Sequence, residues 1–158
     1  MASSIENPGV WFPPPILFVL GFFIGLALNH LWPLPLVPEP RPNALLWLSW
    51  GVIVVGLSII VSGLLTFRFK RTAIYPNQPA TKLVQSGPYR FTRNPMYVGL
   101  TATYLGIAVL TNLLWTLMFL PIVLIVLQRA VIRREERYLT NAFGNAYQEY
   151  CQRVRRWL

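Results

Sequence analysis

The residues able to do chemistry in this chain are few, and most fall in two stretches. Glu135 and Glu136 stand side by side amid Arg129, Arg133, Arg134 and Arg137. The other stretch, 67–95, carries Lys82, Tyr89, Arg93, Asn94 and Tyr97 in or just beyond it. The chain has five acidic residues, all Glu, with a single His (His30) and a single Cys (Cys151). A Ser-His-Asp triad lacks its Asp, and a zinc cluster of His and Cys ligands cannot be assembled. A paired-Asp metal site is likewise out of reach, and no metal site is expected. Two readings remain for the glutamates. They pair internally with Arg133, Arg134 and Arg137, or they receive a cation or sugar hydroxyls beside a bilayer.

The elements that must position these residues are apolar. The sequence is 54% hydrophobic and 12% charged, where a soluble domain carries roughly 25% charged residues. A soluble monomer is not expected. Apolar runs cover about 13–32, 44–66 and 96–132. The last is nearly twice the ~20 residues of one crossing, and Thr111-Asn112 is its one polar pair. The expectation is all-α and integral to the membrane, with four transmembrane helices at about 13–32, 44–66, 96–110 and 113–132. Trp11, Trp32, Trp47, Trp50 and Trp115 fall near the ends of these runs, where indoles favour the headgroup boundary. Only Glu6 is charged ahead of the first run, so that run reads as a retained helix rather than a cleaved leader. Gly21 and Gly25 form a G-x-x-x-G, suited to close helix packing and to a possible homodimer.

Of the 14 basic residues, only Arg41 lies between the first and second runs. The others lie in 67–95 or from Arg129 onward, which predicts both termini and the 67–95 loop on the cytoplasmic side, with a bacterial inner membrane as the site. The +9 charge is met by anionic headgroups, and no nucleic-acid partner is expected. Pro76, Pro79, Gly87 and Pro88 break the loop, while Tyr75, Leu83, Val84, Tyr89 and Phe91 argue against disorder. In 133–158, Leu139, Phe143, Tyr147, Tyr150, Val154 and Trp157 recur at spacings of four and three. That predicts an amphipathic helix, nicked at Gly144, lying on the membrane or folded over the loop.

L-V-Q-S-G-P-Y (Leu83–Tyr89), R-N-P-M-Y (Arg93–Tyr97) and E-E-R-Y-L (Glu135–Leu139) occur in this order around a helical hairpin. In these motifs the chain resembles the isoprenylcysteine carboxyl methyltransferase family and its phospholipid methyltransferase relatives. The resemblance covers about 75–155. It implies a membrane methyltransferase that uses S-adenosylmethionine, with a cofactor site lined by Thr81, Lys82, Leu83, Val84, Tyr89, Asn94, Pro95, Met96, Tyr97 and Glu135. Two positions depart from the pattern. Asn94 stands where the family has His, so that position cannot become cationic. Val131 stands where an Arg would hold a substrate carboxylate.

Methyl transfer from a sulfonium asks the protein mainly to align two reactants and exclude water. A chain without Asp and with one His can do that. The expected acceptor is a lipophilic or lipidated carboxylate, amine or thiol, with membrane lipids as its surroundings. Arg129 and Arg133 are the candidates to orient an anionic acceptor, and Glu136 is the candidate base for one that must lose a proton. The alternatives are a relative of NADPH-using membrane reductases and a non-enzymatic four-helix membrane protein. A transporter would usually carry an ionisable residue inside a span, and none of the four expected spans has one away from its ends.

Overall fold

A computed structural model describes residues 9, 10, 12–71 and 81–158. The expectations resting on Glu6, Trp11, Tyr75, Pro76 and Pro79 lie outside the described residues. The fold is all-helical: α1 (Pro15–Leu31), α2 (Asn43–Lys70), α3 (Pro95–Leu110), α4 (Leu114–Leu127), α5 (Arg133–Phe143) and α6 (Asn145–Arg153). A 3-10 turn at Gly87–Arg90 precedes α3, and a π-turn at Gln128–Ile132 joins α4 to α5.

Prolines open two of the helices. Pro15 and Pro95 occupy first-turn positions, where the missing N–H has no intrahelical acceptor to lose. α2 overruns its expected end near Thr66 by one turn. It stops at Lys70, where Arg71 takes a left-handed conformation (φ 53°). Asn112 (φ 59°) turns the chain between α3 and α4, where the sequence placed the hairpin. Its amide accepts from the Val37 N–H (2.9 Å) and donates to the Val37 carbonyl (3.0 Å), so the α1–α2 loop closes over the same end.

α2 packs along α3, and α1 along α4. The first pairing brings backbones together at glycines. A Cβ on Gly56 would lie 2.7 Å from the Gly99 carbonyl oxygen, and one on Gly99 would lie 2.6 Å from that of Gly56. Gly21 and Gly25 face Val123 and Thr116 of α4 in the same way. The G-x-x-x-G of α1 therefore serves close packing inside the chain. Close approach through small residues is how apolar helices associate where no hydrophobic force separates them from their surroundings.

Two helices are long and apolar enough to cross a membrane: Asn43–Lys70, and the continuous Leu114–Phe143 formed by α4, the π-turn and α5. Pro15–Leu31 and Pro95–Leu110 are apolar but shorter. Only 17% of the most apolar stretch of α2 is buried, and Phe23, Val54, Leu57, Val61 and Ile122 face outward. Such an exterior suits an apolar solvent. The buried core instead lies toward the other end of the bundle from the α3–α4 turn. It comprises Phe18, Tyr97, Tyr104, Leu120, Val123, Leu127, Val131 and Ile132, with Val10 packed in from the N-terminal segment.

Gly144 (φ 51°) separates α5 from α6, so the single C-terminal helix read from the sequence is two. Beyond α6 the chain runs as a strap, 154–158, back across the loop before α3. The Arg93 N–H donates to the Arg155 carbonyl (2.9 Å). The Thr92 hydroxyl and the Asn94 amide donate to the Arg156 carbonyl, at 3.1 and 2.9 Å. The C-terminal segment thus folds over the loop, one of the two expected placements.

Candidate functional site

Three polar side chains converge where α2, the 3-10 turn, α3 and α5 meet. Gly87, in a left-handed conformation (φ 62°), packs on Thr66 of α2 and starts the turn that carries Tyr89. The Tyr89 ring lies edge-on to Phe67, with centroids 5.3 Å apart. Its carbonyl accepts from the Tyr150 hydroxyl (2.7 Å), so α6 fixes the turn from the other side. The Asn94 carbonyl accepts from the Tyr97 and Val98 N–H groups and opens α3. Tyr97 then donates its hydroxyl to Glu135 Oε1 at 2.8 Å. Glu135 arrives through the π-turn, which breaks the α register between α4 and α5. Such turns are frequent at functional sites.

Glu135 lies three residues beyond the apolar run that ends at Ile132. Part of the residue is exposed, but its carboxyl end is enclosed. Loss of hydration pushes its pKa up to about 7. The hydrogen bond from Tyr97 pulls the other way, and the charge of Glu136 adds to the rise. Burial first, and then the Glu135 charge, push the Tyr89 phenol well above its ordinary range. The Tyr89 hydroxyl is buried and has no hydrogen-bond partner among the described residues. A buried unpaired hydroxyl costs about 1–3 kcal/mol, so its position invites explanation. With Glu135 it forms a carboxyl and a donor beside Phe67 and Met96, suited to a cation that also carries hydroxyls.

Glu136 points elsewhere. Both its oxygens are taken by the Arg156 guanidinium, at 2.8 and 2.7 Å, and Arg93 lies 3.4 Å away. The hydrogen bond to Glu136 raises the Arg156 pKa further. The sequence offered Arg133, Arg134 and Arg137 as its ion-pair partners. The observed partners are 43 and 20 positions away, from the loop and the strap. With both oxygens held, Glu136 anchors the strap.

The remaining candidates divide. Pro95 is buried at the start of α3, and Met96 lies against Gly63 beside Tyr89. Asn94 is turned toward the strap, its amide donating to the Arg156 carbonyl. Val84 is buried and Leu83 partly so, while Thr81 and Lys82 are exposed. No hydrogen bond or ion pair joins Lys82 to the Tyr89–Tyr97–Glu135 group among the described residues. Arg129 and Arg133 line a groove of about 840 Å³ between α3 and α4. The sequence reading did not single out Arg156 or Gln128 and gave Arg93 no partner, because the partners come from distant segments. Among the described residues no group of three or more His, Cys, Asp or Glu could hold a metal ion.

A sequence model of the phospholipid methyltransferase family matches residues 45–146, well over half of the chain. The chain belongs to this family. A methanethiol S-methyltransferase of a Pseudomonas species is 29% identical over 118 residues, covering 70% of this chain and 42% of the relative. A cobalt-zinc-cadmium resistance protein of Cupriavidus metallidurans is 38% identical over 72 residues, covering 46% of this chain and 33% of the relative. An uncharacterized protein of Haemophilus influenzae is 49% identical over 37 residues, 23% of this chain and 59% of that protein. The chain thus spans between a third and three fifths of the curated relatives it matches. No solved structure matches it.

Proposed function

We propose that the chain is a four-span integral-membrane methyltransferase that takes its methyl group from S-adenosylmethionine and delivers it to a lipophilic acceptor at the cytosolic boundary. The observation that carries this reading is the Tyr97–Glu135 hydrogen bond beside the buried Tyr89 hydroxyl, which has no partner among the described residues. The donor molecule has an ammonium, a sulfonium and ribose hydroxyls. A carboxyl with one oxygen still open, two phenols and an apolar lining fit such a group, and the family match agrees. When bound, the donor supplies an electrophilic methyl and its own leaving group.

The chain's residues then bind, orient and exclude water. Glu135 takes the ammonium or the ribose hydroxyls, and Tyr89 and Tyr97 border the cation with their rings and hydroxyls. Met96, Leu83, Val84 and Pro95 give the site apolar walls. Thr81, Lys82 and Asn94 belong to the segment that closes over it. The strap, tied through Glu136 and Arg156, holds that segment against α3. Arg129 and Arg133 border the groove through which the acceptor approaches from the bilayer. The acceptor atom is a carboxylate oxygen, or an amine or thiol; the methanethiol relative makes sulfur one candidate. A proton released by an amine or thiol passes to Glu135, since Glu136 is engaged. Both termini face the cytoplasm, and the host membrane is a bacterial inner membrane.

The test is to incubate protein in lipid nanodiscs with methyl-labelled S-adenosylmethionine and bacterial lipid extract, then search the products by mass spectrometry. A labelled lipophilic product that depends on Glu135 is expected. Absence of labelled product at every protein concentration would contradict the reading.

A further inference from the structure

Three consecutive side chains of α5 are tied to three separate parts of the chain. Glu135 accepts from the Tyr97 hydroxyl, and Glu136 holds the strap through Arg156. Arg134, on the other side of Glu135, donates from Nη1 to the Gly9 carbonyl at 3.0 Å. That partner is 125 positions away, in the segment that leads into α1. Gly9 takes a left-handed conformation (φ 66°), which glycine adopts without strain. The next residue, Val10, is 4% exposed and belongs to the same buried cluster as Leu127, Val131 and Ile132. The segment is thus sunk into the core that holds the π-turn, and it reaches α5 through the Gly9 carbonyl. Successive residues of an α-helix point about 100° apart. Arg134 and Glu136 therefore leave α5 on either side of Glu135, and their two tethers oppose a roll of the helix about its axis. Such a restraint matters here, because α5 follows the five residues of the π-turn, where the regular α ladder is interrupted. A roll of a fraction of a turn takes the Glu135 carboxyl off the Tyr97 hydroxyl. The Arg134 bond is exposed and adds little to stability by itself, so its effect falls on the direction of α5 rather than on folding.

We propose that Arg134 is a positioning residue: held by the Gly9 carbonyl of the core-anchored N-terminal segment, it sets the roll of α5 against the Glu136–Arg156 fork and so aims Glu135 at Tyr97. It acts through Glu135 and touches neither cofactor nor acceptor. The proposal rests on the methyltransferase reading above for what the aimed carboxyl binds, and on the geometry alone for the aiming. The sequence offered Arg134 as an ion-pair partner of the glutamates; its task is instead to tie their helix to the other end of the chain.

Two readouts test this, one of which needs no cofactor. The titratable groups that bear on Glu135 are Tyr97 of α3, Tyr89 of the 3-10 turn and Glu136 of α5. Loss of a nearby guanidinium charge alone would push the Glu135 pKa further up, whereas rolling the carboxyl out of its enclosure brings it down. The two effects have opposite signs. The wild-type unfolding midpoint in detergent should fall between pH 5 and about 7 as the raised carboxyl ionises. Arg134→Ala should show a smaller fall, and Val10→Ala, which loosens the same tether, should do likewise. Arg134→Lys keeps a donor and a charge and should restore the wild-type fall. The second readout is calorimetric titration with S-adenosylmethionine in nanodiscs at pH 8. Arg134→Ala should weaken binding by about three- to tenfold, short of losing the carboxylate itself, and should have no further effect in the Glu135→Gln background. A pH-dependent fall that is unchanged or steeper in the Arg134→Ala and Val10→Ala variants, or equal weakening in the Glu135→Gln background, would overturn the proposal. A reduced fall in a protein that binds no cofactor would remove the methyltransferase reading alone. Cofactor binding with an unchanged fall would remove the positioning role alone.

Discussion

At the scale of single residues the account turns on Glu135. Its folded-state pKa is raised from 4.5 to about 7. The contribution of this carboxyl to stability is therefore fully present below about pH 4.5 and is lost as pH rises through 7. Thermal unfolding in detergent should show a midpoint that falls between pH 5 and about 7 in the wild type, with a smaller fall in Glu135→Gln. Binding of a cationic cofactor works the other way, because it favours the ionised carboxyl. Cofactor affinity should climb through the same window and level off above pH 7, and the Gln variant should lack that climb. Tyr97→Phe removes a hydrogen bond to a charged group, worth about 1.5–3 kcal/mol. It should weaken cofactor binding by roughly tenfold or more while leaving the helices intact by circular dichroism. The sequence brought Tyr89, Tyr97 and Glu135 into view by type and motif. It did not bring Arg156 to Glu136, because helical spacing pairs only residues three or four apart, and this pair depends on how the strap folds back.

At the scale of elements, the glycines decide the packing. Gly99→Val would drive a branched side chain into the Gly56 carbonyl and Ile60. It should lower the unfolding midpoint markedly, since overpacking costs typically about 1–3 kcal/mol or more where backbone must move. Gly51→Ala, on the open face of the same pair, meets nothing within 4 Å and should be neutral or slightly stabilising. Gly144→Ala also meets no neighbour, yet its backbone sits at φ 51°, ψ −126°. That strain should cost about 1–3 kcal/mol and loosen α6 from Tyr89. Helix positions were largely legible, because Pro15, Pro95 and the Asn112 turn punctuate apolar runs. The π-turn at 128–132 was not, since neither hydrophobic period nor any breaker residue marks it. The extra turn of α2 past Thr66 was also hidden, because Arg68 and Lys70 look like loop by charge alone.

At the scale of the whole molecule, an apolar exterior surrounds a polar cluster at one end, and the charges explain which end. All the basic residues but Arg41 belong to 67–95 or lie from Arg129 onward, beside the glutamates and the strap. Under the proposed topology, alkaline phosphatase fused after Leu158 should be inactive and fluorescent protein at the same point bright, in a bacterial host; the reverse would invert the orientation. Charge counts give the proposed orientation, whereas the groove was not legible in the sequence, because its walls come from α3, α4 and the strap. The most direct measurement of the central claim is calorimetric titration of nanodisc-held protein with S-adenosylmethionine at pH 8, wild type against Glu135→Gln. The account predicts saturable binding by the wild type and affinity weaker by about tenfold or more in the variant. Equal affinity in the two proteins, or no binding by the wild type, would contradict it.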